Sequence, residues 1–255
     1  MPAGPTATSD EIAGLERGYF ALPGGTASKV SYLRAGDPDG RRVIFVHGSP
    51  GEAGGWADYL LHVPPGFEYI AIDRPGFGAS NPDDAEPSLK RQAAALAPLL
   101  QQRSGKWPIL VGHSLGGPII ARAAADLSGR IDALLILAGS LDPELERVHP
   151  MQPVGEWWGV RNMLPRHLRN ANRELLTLKG ELDVLQPRLQ KLTLPVTIIH
   201  GTSDTLVPVE NVAFMRRHLA GTKPLTVELL PEQGHFIPWE RRDTIERALT
   251  VLARR

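Results

Sequence analysis

Ile109-Leu110-Val111-Gly112-His113-Ser114-Leu115-Gly116-Gly117 is the stretch from which the rest of the chain is read. Three apolar residues predict a strand, and Gly117–Leu127 continues as a helical run. The two are joined by a G-x-S-x-G turn. A serine on a tight strand-to-helix turn has its hydroxyl held above the sheet. Glycines two residues either side are needed because side chains there would meet neighbouring backbone. The helix N-terminus then aims free N–H groups at negative charge that develops nearby. With this Gly and Ser content the bare pattern arises by accident roughly 0.1 times in such a chain, and its strand–turn–helix placement makes it more specific. A glycine-rich βα turn whose serine only caps the helix fits the same segment, so the partners of Ser114 decide between the two.

Outward from that turn, short apolar runs alternate with helical patterns. Strands are predicted at Arg42–His47, Tyr69–Ile72, Ile109–Val111, Ala133–Ala138, Val196–His200 and Leu225–Leu230, several nearly all apolar. Such runs suit strands buried on both faces of a parallel sheet. Helices are predicted at Leu89–Gln102, Gly117–Leu127, Val209–Leu219 and Asp243–Arg254. The rhythm predicts an α/β fold with helices on both faces. Gly18–Leu22 and Lys29–Ala35, joined by a Pro23-Gly24-Gly25 turn, predict an antiparallel edge hairpin. From Pro143 to Lys191 the rhythm stops. Leu168, Ala171, Leu175, Leu178, Leu182, Leu185 and Leu189 recur at spacings of 3 and 4, and Trp157, Val160 and Leu164 form a shorter stripe, with Pro165 opening the next helix. Residues 143–191 are therefore expected to be a helical insertion, and 1–142 with 192–255 the core. The insertion is too small to be an independent domain. The first dozen residues are expected to be mobile.

Composition narrows the function. The 255 residues are 42% hydrophobic and 22% charged, with 28 Lys+Arg against 28 Asp+Glu. That mix supports a real core and provides no field to recruit nucleic acid or an anionic membrane surface. There is no cysteine, which excludes a disulfide framework, a zinc ribbon, an iron–sulfur cluster and a thiol nucleophile. The N-terminus MPAGPTATSD has no secretory pattern, and no apolar run approaches the roughly 18 residues that span a bilayer. A cytoplasmic protein with no integral membrane segment is the expectation; oligomeric state does not follow from the sequence.

Ser114 needs a base. Of eight histidines, His235 in Gln233-Gly234-His235-Phe236 lies in the loop between the last strand and the final helix. Loops at the strands' carboxyl ends are where reactive groups collect in parallel α/β sheets. Asp204, in Gly201-Thr202-Ser203-Asp204, follows the strand Val196–His200 on the same edge and can accept the His235 Nδ1–H. Asp142, after Ala133–Ala138, is its competitor; the turn-rich Gly201–Pro208 places Asp204 better. The order Ser114, Asp204, His235 belongs to one of the three folds known to carry this chemistry. Two backbone donors for an oxyanion are expected at Leu115 and, from His47-Gly48-Ser49-Pro50-Gly51, at Ser49.

With these residues in place, the chain resembles the α/β-hydrolase superfamily. Its motifs occur in the family's order: HGSPG at 47–51, DRPGFGAS at 73–80, GHSLGG at 112–117, GTSDTLVP at 201–208 and QGHF at 233–236. The resemblance covers about residues 20–255. It implies a mostly parallel eight-stranded sheet with a small helical cap between strands 6 and 7. It also implies Ser114 as nucleophile, Asp204 as acid, His235 as base, Ser49 and Leu115 as oxyanion hole, and a structural role for Asp73 and its glycines. Haloalkane dehalogenases and epoxide hydrolases are similar elsewhere but carry Asp where this chain has Ser114. Proline iminopeptidases share an HGxPG-like loop but read GGSWG at the nucleophile. Met151, Trp157, Trp158 and Met163 are the candidates to line an acyl site under the cap; the two tryptophans lie about 100° apart on their helix, so at most one faces a cleft. The expected activity is hydrolysis of a small-molecule carboxylic ester of small to medium acyl size through an acyl-enzyme, with no metal or cofactor. Carbon–carbon bond hydrolysis and perhydrolysis use the same triad, and a non-catalytic binding module uses the same fold.

Overall fold

Period-two alternation within the apolar runs builds a two-sided sheet. In the computed structural model, which describes residues 4–22, 29–146 and 152–254, the strands are β1 (Glu16–Ala21), β2 (Lys29–Gly36), β3 (Arg41–Val46), β4 (Phe67–Ile72), β5 (Ile109–His113), β6 (Ala133–Leu137), β7 (Val196–Gly201) and β8 (Leu225–Leu230). They form one eight-stranded sheet in the order β1-β2-β4-β3-β5-β6-β7-β8. β1–β2 and β2–β4 are antiparallel; the remaining five pairings are parallel. Every residue of β3, β5, β6 and β7 is buried. Ile44, Val46, Leu110, Leu134 and Ile136 face one apolar layer, while Val43, Phe45, Val111, Leu135 and Leu137 face the other. The six predicted strands lie within two residues of the observed ones at either end, and where both faces are covered, in β3, β5, β6 and β7, the strand interiors are mostly apolar.

Register carries the strand ends to a common edge. Val46 pairs with Gly112, Gly112 with Ile136, Ile136 with Ile198 and Ile198 with Val227. The loops that follow β3, β5, β7 and β8 therefore open side by side, bringing the segments around Ser49, Ser114, Asp204 and His235 to one rim.

Two expectations are corrected. The helix predicted over Leu89–Gln102 is α-helical only at Leu89–Ala94 and continues as a 3-10 turn at Ala97–Leu99, because Pro98 has no N–H and its ring disfavours a further α turn. The first dozen residues, from residue 4 onward, are anchored. Thr6 and Ala7 N–H donate to the Asp58 carboxylate at 2.8 and 2.9 Å, and Thr8 and Glu11 form a reciprocal capping box on the helix Ser9–Gly14. The predicted turn at Pro23–Gly25 lies outside the described residues.

Between β6 and β7 the chain is helical at Trp158–Met163 and Arg166–Leu189. The longer helix buries Ala171, Leu178, Leu182, Leu185 and Leu189. Glu174 belongs to the same stripe and is also buried. Its carboxylate accepts from Arg74 Nη1 at 2.6 Å and Nη2 at 3.0 Å, from Gln92 Nε2 at 2.8 Å and from Ser49 Oγ at 2.6 Å. Arg74 Nη2 also donates to the Gly48 carbonyl at 2.8 Å. A buried ion pair survives only when its remaining lone pairs and protons are satisfied, and these are. Through this cluster the long helix is tied to the loop after β3.

Candidate active site

The turn at Ser114 is built by two close approaches. A Cβ on Gly112 would lie 2.4 Å from the Gly116 carbonyl oxygen, and one on Gly116 would lie 2.3 Å from the Val46 oxygen. Both glycines of the G-x-S-x-G pattern are thus dictated by backbone, one within the turn and one against β3. Ser114 itself sits at φ 54°, a conformation costing a non-glycine residue about 1–2 kcal/mol. The turn is held by Ser114 N–H to the Leu137 carbonyl and Gly117 N–H to the Ser114 carbonyl, each 2.9 Å. The helix Gly116–Asp126 begins directly after Leu115.

His235 Nδ1–H donates to Asp204 Oδ2 at 2.7 Å, so in the neutral ring Nε2 keeps the lone pair. Asp204 Oδ1 accepts from Leu206 and Val207 N–H at 2.9 and 2.8 Å. Burial alone would raise the Asp204 carboxyl; the His235 bond and charge and the two backbone N–H groups outweigh it and hold the group below its ordinary value. The two loops meet because Gly201 has no side chain: a Cβ there would lie 2.2 Å from the Gln233 oxygen. Asp142, the competing acid, instead accepts from Glu144 N–H at 3.0 Å within its own turn.

Ser114, His235 and Ser49 line a single cavity of about 290 Å³. Gly48 lies against the nucleophile turn, since a Cβ on it would sit 2.9 Å from Ser114 Cβ and 3.4 Å from Oγ. Among the described residues neither the Ser49 nor the Leu115 N–H has a protein acceptor. Two unengaged backbone donors beside a serine hydroxyl, with a carboxylate-bound imidazole on the same wall, can take up a proton and hold an oxyanion.

A family model described as alpha/beta hydrolase fold matches residues 41–183, more than half of the 255. The chain belongs to the α/β-hydrolase fold family. Among curated relatives, a 2-hydroxy-6-oxononadienedioate/2-hydroxy-6-oxononatrienedioate hydrolase of Dechloromonas aromatica is 24% identical over 245 residues, covering 80% of this chain and 84% of that protein. A non-heme chloroperoxidase of Streptomyces lividans is 26% identical over 229 residues, covering 73% and 82%. Among solved structures, a monoacylglycerol lipase of Paleococcus ferrophilus superposes with TM-score 0.68 at 19% identity, covering 86% and 96%. No helix among the described residues is long and apolar enough to cross a membrane.

The apolar walls of the cavity in this α/β-hydrolase come from Trp56, Leu206, Phe236 and Trp239, none of which sequence reasoning singled out. They sit on loops and short turns with no periodicity to read. Trp157 and Met163, expected to line an acyl site, are 68% and 85% exposed and do not reach this cavity. An apolar stripe marks which residues are candidates for burial, but the face packed on the core belongs to the longer helix. Met151 and the Trp158 side chain lie outside the described residues.

Three further histidines surround the site and are buried. His113 Nε2–H donates to the His235 carbonyl at 3.0 Å, and His200 Nε2–H to the Val207 carbonyl at 2.9 Å. Burial, reinforced by the neighbouring His235, pushes His113 down to about 3. Burial likewise lowers His200, and burial with the Arg74 charge holds His47 well below its ordinary value. In each case the folded pKa lies below the unfolded one. Below about pH 6.5 the unfolded chain therefore binds protons that the folded chain refuses, and stability falls as pH falls. Each histidine contributes a slope of at most about 1.4 kcal/mol per pH unit, and only while the pH lies between its unfolded and folded pKa, a window that for His113 runs from about 6.5 down to about 3. Thermal melts from pH 7.5 to 4.5 should show a steep loss of Tm, and His113→Gln should make the slope shallower; parallel slopes for the two proteins would refute the assignment.

Proposed function

We propose that this α/β-hydrolase is a serine esterase for small-molecule carboxylic esters with short acyl groups, with residues 143–191 acting as a cap on a core of 1–142 and 192–255. What carries the reading is the His235–Asp204 pair at 2.7 Å on the wall of the cavity that also holds Ser114. His235 Nε2 takes the Ser114 proton as Oγ attacks the ester carbonyl, and Asp204 stabilises the imidazolium. The Ser49 and Leu115 N–H groups hold the oxyanion, the alcohol leaves with the proton from His235, and water repeats the sequence to release the acid.

Carbon–carbon hydrolysis is the second reading, since the Dechloromonas aromatica relative is named for a dienedioate, a substrate with two carboxylates. Among its described lining residues the cavity has no lysine or arginine and does present the exposed carboxylate of Glu52. That charge pattern favours an uncharged ester over a dianion. At about 290 Å³ the cavity stands at the small end of ligand pockets, about 300–1,000 Å³. Turnover of p-nitrophenyl esters is therefore expected to peak between acetate and butyrate and to fall steadily towards laurate. No turnover of any ester by folded protein, with cleavage of a 2-hydroxy-6-oxodienoate instead, would replace the first reading with the second.

A further inference from the structure

Glu174 occupies a position that packing alone does not explain. It stands among Ala171, Leu178 and Leu182 on the buried face of the helix Arg166–Leu189. An aliphatic residue would serve that face, yet the carboxylate there accepts four hydrogen bonds, one of them from Ser49 Oγ at 2.6 Å. Ser49 has a single hydroxyl proton, so donating it to Glu174 leaves only its backbone N–H for the cavity. Arg74, held by both Glu174 oxygens, reaches the preceding carbonyl, that of Gly48. The Gly48–Ser49 segment is thus fixed at a carbonyl and at a side chain by one ion pair, and a Cβ on Gly48 would sit only 2.9 Å from Ser114 Cβ.

We infer that Glu174 is a positioning residue for the oxyanion hole: from the helical insertion it fixes Ser49, through the side-chain hydroxyl, so that the backbone N–H meets the oxygen of the transition state. The inference rests on the proposed serine mechanism. It makes the placement of the long helix a determinant of rate as well as of pocket shape. A donor fixed this way acts on the tetrahedral state far more than on bound substrate, so loosening it lowers kcat and leaves KM nearly unchanged.

The test is the rate at which a fluorophosphonate labels Ser114, whose phosphoryl oxygen enters the same hole, together with kcat and KM on p-nitrophenyl acetate. Ser49→Ala and Glu174→Gln are each expected to slow the bond-forming step about tenfold, less than the 100- to 1000-fold cost of losing a donor outright, with ground-state binding within about twofold. The double variant is expected to be no slower than the slower single one, because both substitutions cut the same link. Should Glu174→Gln not fold, Glu174→Asp keeps Arg74 neutralised while withdrawing from Ser49, and the same loss is expected. Single variants that react at the wild-type rate, or losses that multiply in the double variant, would overturn the inference while leaving the serine mechanism standing. Wild-type protein that neither labels at Ser114 nor turns over the ester would overturn both.

Discussion

Replacing Ser114 with alanine is expected to lower ester turnover by at least about 10⁴-fold while leaving the fold intact. Without the hydroxyl no acyl-enzyme forms, and what remains is the contribution of binding and of the oxyanion donors. Stability should barely change, because the Ser114 hydroxyl makes no hydrogen bond to another described side chain or carbonyl, whereas the backbone bonds of the turn belong to its N–H and carbonyl. Alanine also keeps the Cβ, so the cost of φ 54° is the same in both proteins. Initial rates on p-nitrophenyl butyrate beside a thermal melt check both halves. A variant that keeps a tenth of the activity would remove Ser114 from the chemistry.

The second large effect concerns Asp204. Asp204→Asn is expected to reduce kcat by about 10³- to 10⁴-fold with little change in KM. The asparagine oxygen can keep the Leu206 and Val207 N–H bonds made by Oδ1. Its amide N–H₂ would then face His235 Nδ1 where Oδ2 now accepts at 2.7 Å. The imidazole must respond by moving its proton to Nε2, and a ring with Nε2–H cannot accept the serine proton. Asp142→Asn is the matched control. Its carboxylate serves the Glu144 N–H in its own turn, so activity should stay within about twofold. A reversed pattern, with Asp142→Asn inactive and Asp204→Asn unaffected, would move the acid to the end of β6.

Much of this architecture is legible in the sequence because the physics that sets it is local. A strand buried on both faces is mostly apolar, and the runs Val43–Val46, Ile109–Val111, Ala133–Leu137 and Ile198–Ile199 stand out for that reason. The G-x-S-x-G glycines are legible because a Cβ at either position would lie only 2.4 or 2.3 Å from a backbone oxygen, which excludes any side chain. Asp204 and His235 are legible by position, as loop residues after β7 and β8. What the sequence conceals depends on long-range geometry. The Arg74–Glu174 pair joins residues a hundred positions apart, and a glutamate in an otherwise apolar stripe was the one available sign of it. Trp56, Phe236 and Trp239 converge on the cavity from a loop and from single helical turns too short to show periodicity, while Trp157 and Met163 have the right chemistry on a surface facing solvent. The anchoring of Thr6 and Ala7 depends on Asp58, which no local pattern ties to the N-terminus.

The central claim is a covalent intermediate on Ser114. The measurement that reaches it most directly is peptide mass mapping of the protein quenched in acid during turnover of p-nitrophenyl butyrate. The expected result is a butyryl mass on the peptide that carries Ser114, absent from Ser114→Ala. Steady turnover with no acylated peptide, or with the acyl group on another residue, would contradict the mechanism.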